Sequence, residues 1–258
     1  MAQAYSCAMI KGRRRRFVSV APTGLSPRVL REEVVVVLAL SLLASVVYSV
    51  IDLLSAPVAG VVRATYAPSP LAPQLADIAF GLAPVWLVLY LLRRDGGGAA
   101  TLGLSEERPG RAALSGIVLA ALVGALGAAV YLAAVEAGVN RFIVPVPPTG
   151  YWWTVPVLIA GAAQTALLEE VVVVGFLVTR LRQISWSPGA AVAGSALLRA
   201  SYHLYQGWGG FAGNLGLGIL FGCIFVRRGR LWPLVIAHFL LDAGAGVIYL
   251  LFGDRLPG

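Results

Sequence analysis

Long apolar stretches divided by short runs of Pro, Gly and Arg set the rhythm of this chain. They fall at Val34–Leu54, Gln74–Leu92, Ala112–Val135, Trp152–Arg180, Gly189–Tyr205, Trp208–Val226 and Leu231–Phe252. Each is near the ~20 residues an α-helix needs to cross a hydrocarbon core of roughly 30 Å. The pattern predicts an all-α polytopic membrane protein of about seven transmembrane helices. Polar residues inside the stretches are sparse, and they concentrate in the last four.

The cations test this count, because cytoplasmic ends of spans collect Arg and Lys. With the N-terminus cytoplasmic, that side holds Lys11 through Arg31, then Arg93, Arg94, Arg108 and Arg111, then Arg180 and Arg182, and finally Arg227, Arg228 and Arg230. The other side holds Arg63, Arg141 and Arg255. A missed or invented helix would scramble this alternation. Trp153, Trp208 and Trp232 near span ends fit aromatic belts. Residues 1–31, with the basic run Arg13–Arg16, read as a disordered cytoplasmic tail. Residues 32–258 read as one transmembrane domain whose chemistry-bearing core covers about 152–252. The first stretch is longer than a signal-peptide core and has no cleavage site behind it, so it reads as a retained span.

Composition changes this picture little. The 258 residues are 59% hydrophobic and 12% charged, with a mean hydropathy of +0.82, too apolar for the surface of a water-soluble domain. A net charge of +8 could suggest nucleic acid, but the cations sit at span edges, so the expected environment is a lipid bilayer and not a nucleic acid. Cys7 and Cys223 offer neither a disulfide framework nor metal-ligand spacing. Gly210, Asn214, Gly218 and Gly222 recur every four residues on one helix face, as close helix packing requires, and Asn214 in that row is a supporting candidate for the site.

An ionisable side chain at the centre of a lipid-embedded helix costs about 2.5–3.5 kcal/mol on insertion scales. Asp52, Asp77 and Glu136 read as boundary residues that reach headgroups or water. Glu169, Glu170, Arg199, His203, His238 and Asp242 do not, since they lie well inside the last four spans. Counted from Arg180, Pro188 and Trp232 at about 1.5 Å per residue, Glu169 lies roughly 17 Å deep, His203 about 22 Å, His238 about 9 Å and Asp242 about 15 Å. The levels overlap within the slack that helix tilt allows, so one buried polar site is expected. Helical spacing puts His238 with Asp242, and Arg199 with His203, on common faces. Glu169 and Glu170, about 100° apart, can aim only one carboxylate squarely at a shared centre.

A buried glutamate beside a cation can serve as general base toward water, and Glu169 is the candidate. His203 and His238 can divide carbonyl polarisation, oxyanion stabilisation and proton transfer to a leaving amine. Glu169, His203, His238 and Asp242 also make an adequate zinc set with an open position for water, and spacing does not choose between these mechanisms. Other membrane chemistries are excluded. No HExxH is present, Ala196 breaks a GxSG motif after Gly194 and Ser195, and Leu240 and Leu241 precede Asp242 where GxGD would be needed. The sole lysine lies in the tail, away from the last helix where a retinal protein needs one.

These residues resemble the CPBP intramembrane proteases, which include CAAX-processing endoproteases and the Abi proteins linked to bacteriocin self-immunity. That family carries EExxxR, FxxxH and HxxxN or HxxxD on successive helices. Here the motifs are Glu169-Glu170 followed by valines to Val174, Arg199-Ala-Ser-Tyr-His203, and His238-Phe-Leu-Leu-Asp242. The strings around them are similar to bacterial members, so the likeness covers about Leu167–Gly246 and implies a bacterial cytoplasmic membrane. It implies proteolysis of a peptide or protein substrate, with Glu169 activating water, His203 assisting, and His238 with position 242 stabilising the oxyanion. Val174 stands where the family has arginine and Arg199 where it has phenylalanine. These two departures read as one change, a cation moved from the fourth span to the fifth and still facing Glu170. An ionised Asp242 cannot donate to an oxyanion as asparagine can, which favours a zinc site in this chain. Three readings compete: an endopeptidase cutting near the cytoplasmic half of the bilayer, a non-enzymatic immunity or scaffold protein, and a transporter or proton relay. Absence of inverted repeats weighs against the last.

Overall fold

The computed structural model describes residues 17–55, 61–65, 71–105, 108–146 and 151–252. Cys7, Lys11, the Arg13–Arg16 run, Pro147, Pro148 and Arg255 lie outside the described residues. Helices are α1 Pro27–Ser41, α2 Leu43–Ser55, α3 Leu71–Gly81, α4 Ala83–Arg94, α5 Pro109–Glu136, α6 Thr154–Leu168, α7 Val178–Gln183, α8 Pro188–Ser201, α9 Trp208–Arg228 and α10 Trp232–Phe252. Local sequence explains the starts. Ser26 accepts from the Val29 amide and Ser187 from the Ala190 amide, each followed by a proline at the first helical position. Gly229, at φ 64°, ends α9 in the left-handed region open to glycine.

Five helical stretches are long and apolar enough to cross a membrane. They are Leu71–Arg94, Pro109–Glu136, Thr154–Gln183, Trp208–Arg228 and Trp232–Phe252. A sixth arises when α1 and α2, bent by 55° at Leu42, count as one span. The chain is therefore an integral, multi-pass α-helical membrane protein. The expected span over 189–205 differs in form. It is a 14-residue helix, α8, about 21 Å long, completed by a turn and a short 3-10 helix at Leu204–Gln206.

One set of ends meets at the arginine-rich face. The Val18 amide donates to the Val226 carbonyl, and Arg182 donates to the Val18 carbonyl. Arg180, fully buried, pairs with Glu33 at 2.7 Å and Asp95 at 2.5 Å and donates to Gln183, while Arg94 also pairs with Glu33. The other ends meet around Arg141, whose backbone amide donates to the Gln206 carbonyl and whose guanidinium donates to the Asp52 and Tyr205 carbonyls. At the arginine-poor face, a short parallel ladder pairs β1 (Val61–Thr65) with β2 (Phe142–Val146), a pairing inside what the sequence presents as connectors.

The two halves of the bundle's thickness are packed differently. Between the glutamates and the arginine-rich face, residues Val171–Leu181 are all buried among Val88, Leu92, Leu102, Phe225, Leu231 and Leu234. The α8–α9 hairpin closes tightly because α9 offers glycines. A Cβ on Gly218 would come 2.9 Å from the Ala196 Cα, and one on Gly222 2.9 Å from Val192.

Candidate active site

The fourth span changes its winding where its carboxylates lie. Thr154–Gln183 is continuous, but Glu169–Leu177 forms a π-helix between α6 and α7. Bonds from i to i+5 put more residues in each turn, so consecutive side chains diverge less than on an α-helix. Glu169 lines the cavity, while Glu170 is fully buried and does not line it. Arg199 Nη2 lies 2.9 Å from Glu169 Oε2 and 2.6 Å from Glu170 Oε1. Arg199 Nε adds a contact to Glu169 Oε2 at 3.3 Å, and the guanidinium lies 5.7 Å from the centre of the Phe221 ring. Val174, at the family's arginine position, is fully buried. The cation has changed helices and faces both carboxylates.

His238 joins through Nδ1, 2.9 Å from Glu170 Oε1. The same nitrogen lies 3.2 Å from Arg199 Nη2, so His238 touches both members of the Arg199–Glu170 pair. Its Nε2 faces Asp242 Oδ2 at 3.4 Å, as the four-residue spacing on α10 requires. His203 is placed differently from its sequence reading. α8 ends at Ser201, and His203 lies in the turn beyond, with Nδ1 2.9 Å from the Arg199 carbonyl. A carbonyl only accepts, so Nδ1–H donates and Nε2 of the neutral ring keeps its lone pair. Asn214 stays outside the cluster's hydrogen bonds and donates to the Gly210 carbonyl of its own helix.

Two contributors escaped the sequence reading. Tyr202 is buried and donates through its hydroxyl to Glu169 Oε2 at 2.9 Å. Its place beside His203 inside the second motif was the available signal. The second contributor is α2. Ser45, Ser49 and Asp52 share with Glu169, His203 and Tyr205 the lining of a cavity of about 420 Å³. Asp52, read as a boundary residue, therefore faces the site, and Ser49 Oγ donates to the Tyr202 carbonyl at 2.7 Å. Their spacing along α2 shows a polar stripe, but nothing local indicates what it faces.

Glu169 Oε2 is held by Arg199 and Tyr202, whereas Oε1 accepts no hydrogen bond from the described residues. Glu170 Oε2 and Arg199 Nη1 are buried without a hydrogen-bond partner among the described residues. Among the described residues no three of His, Cys, Asp and Glu are placed to hold a metal ion. The Arg199 guanidinium occupies the position between the carboxylates, and its charge opposes a second cation there.

Fold and site together define a multi-pass helical protein in which a glutamate pair, an arginine and His238 form a buried cluster, and Glu169 and His203 line the adjoining cavity. Residues 151–244, the stretch that carries the motifs quoted above, match the family model described as type II CAAX prenyl endopeptidase Rce1-like. No curated protein and no solved structure matches the chain.

Proposed function

We propose that this protein is a glutamate-dependent intramembrane endopeptidase. The observation that carries the reading is Glu169 itself: one oxygen is fixed by Arg199 and Tyr202, and the residue lines the cavity that His203 and Tyr205 share. In that arrangement Oε1 takes a proton from water as the water oxygen attacks the scissile carbonyl carbon. The Tyr205 hydroxyl accepts from Gln206 Nε2 at 3.0 Å, which leaves its own hydrogen to donate to the developing oxyanion. The proton held by Glu169 passes to the departing nitrogen, directly or through His203 Nε2. The C–N bond then breaks to give a carboxylate and an amine. His238 acts one step back, holding Glu170 and through it Arg199, with Asp242 at its far nitrogen.

The donor geometry supports a water activated by carboxylate without metal assistance. The test is Glu169→Gln in proteoliposomes, assayed with a mixture-based fluorogenic peptide library. Cleavage should fall roughly 10²–10⁴-fold, the usual contribution of a general base, in protein that stays folded at the assay temperature although the lost ion pair lowers its unfolding midpoint. Cleavage at wild-type rate, or wild-type activity lost on chelation and restored by zinc, overturns the mechanism. A cellular phenotype untouched by Glu169→Gln would favour the immunity or scaffold reading.

A further inference from the structure

The cavity beside Glu169 has acidic walls, and one of its acids stands unpaired. Glu169 and Asp52 both line it, and among the described residues no lysine or arginine does. Glu169 has its charge offset by Arg199 at 2.9 Å. The Asp52 carboxylate, exposed on α2, makes no ion pair among the described residues. Arg141 meets Asp52 through the backbone instead: its guanidinium donates to the Asp52 carbonyl at 3.0 Å and to the Tyr205 carbonyl at 2.8 Å. One planar group thus ties two walls of the cavity together. That bridge holds the acid near Tyr205, the donor proposed for the oxyanion.

Such a cavity favours a guest of one charge. A cleft walled by one sign of charge concentrates the opposite sign, the more so with low-dielectric walls. An unpaired carboxylate within a membrane span is costly, and a cation brought to it removes that cost. An acidic or wholly aliphatic segment would leave Asp52 as it stands. The neighbouring walls also suit a basic side chain. Tyr48, four residues before Asp52 on the same face of α2, and Tyr205 supply aromatic rings, which attract ammonium and guanidinium groups. The Ser45 hydroxyl can accept a further N–H.

We infer that Asp52 is a specificity residue: the cavity takes a polypeptide carrying lysine or arginine close to the scissile bond, with the cation paired to Asp52 against the rings of Tyr48 and Tyr205. This rests on the endopeptidase reading for the bond cut at Glu169 and adds the class of substrate. Asp52 binds and orients, and takes no part in the proton transfers.

Peptides that differ only in charge test it. In an internally quenched library assayed in uncharged dodecyl maltoside, each position in turn carries lysine or norleucine, a near-isostere without the cation. At one position the wild-type protein should favour lysine by roughly ten- to a hundredfold in kcat/KM, about what one charge-assisted hydrogen bond contributes, and the gain should lie in KM. Asp52→Asn should bring the two peptides level, Asp52→Glu should keep the preference, and Asp52→Lys should turn it toward glutamate. The same pairs are titrated by fluorescence anisotropy against Glu169→Gln with and without Asp52→Asn, which reads the preference with no turnover. Equal affinity for lysine and norleucine peptides, or a lysine preference that survives Asp52→Asn, overturns the role of Asp52. Charge-selective binding to Glu169→Gln with no cleavage of any peptide by the wild type would instead sink the endopeptidase reading and leave the cation subsite standing.

Discussion

At the scale of single residues, the centre works because one guanidinium serves two buried carboxylates. Removing one partner of a buried ion pair costs about 3–5 kcal/mol through the charge left unpaired. Arg199→Met should therefore lower the thermal unfolding midpoint sharply in detergent, and Arg199→Phe should abolish cleavage. Adding Val174→Arg to Arg199→Phe restores the family's arrangement and should recover at least tenfold of the lost activity, since position 174 is four residues from Glu170 on the same span. Tyr202→Phe removes a hydrogen bond to a charged group, worth about 1.5–3 kcal/mol. It should reduce kcat roughly ten- to a hundredfold with KM little changed, because Tyr202 orients Glu169 and leaves substrate contacts alone. Much of this was legible from sequence. Intramembrane charge is costly enough that Glu169, Glu170, Arg199, His203, His238 and Asp242 marked themselves. Tyr202 did not, because a tyrosine in an apolar helix carries no such cost.

At the scale of elements, the π segment decides which way the carboxylates face. Arg180 anchors the span below the glutamates and Arg199 meets them from α8, so the residues between set the rotation of one relative to the other. Deleting Val172 turns the glutamates by roughly a quarter turn against the Arg180 anchor. Cleavage should vanish while helix content by circular dichroism stays the same. Sequence periodicity predicts helix here, and no residue in a run of valines tells i+5 bonding from i+4. The same limit applies to His203. Four-residue spacing suggested a shared helix face with Arg199, but α8 stops at Ser201 and the histidine sits in the turn that follows. The glycine row on α9 was read as packing, and the Gly218 and Gly222 contacts are of that kind. Gly222→Leu should cost about 1–3 kcal/mol by overpacking against Val192, measurable as a lower unfolding midpoint.

At the scale of the whole molecule, Arg180 and Arg94 meet Glu33 at one set of helix ends, and Arg141 ties the other set to the Asp52 and Tyr205 carbonyls. Arg180 was legible as a topological cation but not as a buried one, since its partners Glu33 and Asp95 come from distant parts of the chain. Arg180→Ala should lower stability by about 3 kcal/mol and leave kcat unchanged well below the unfolding midpoint. The cavity wall on α2 was hidden for the same reason: contacts between the first span and the turn after α8 have no local signature. One consequence concerns mechanics. Where the family's arginine shares a helix with the glutamates, it moves with them whatever the bundle does. Here it rides on a neighbouring helix, so axial sliding of α8 against the fourth span pulls the cation away from the acids. Lipids of mismatched thickness tilt and shift helices past one another. Turnover in bilayers of graded acyl-chain length should peak sharply for this protein and more broadly for the Val174→Arg/Arg199→Phe variant, making the displaced arginine a gauge of membrane thickness.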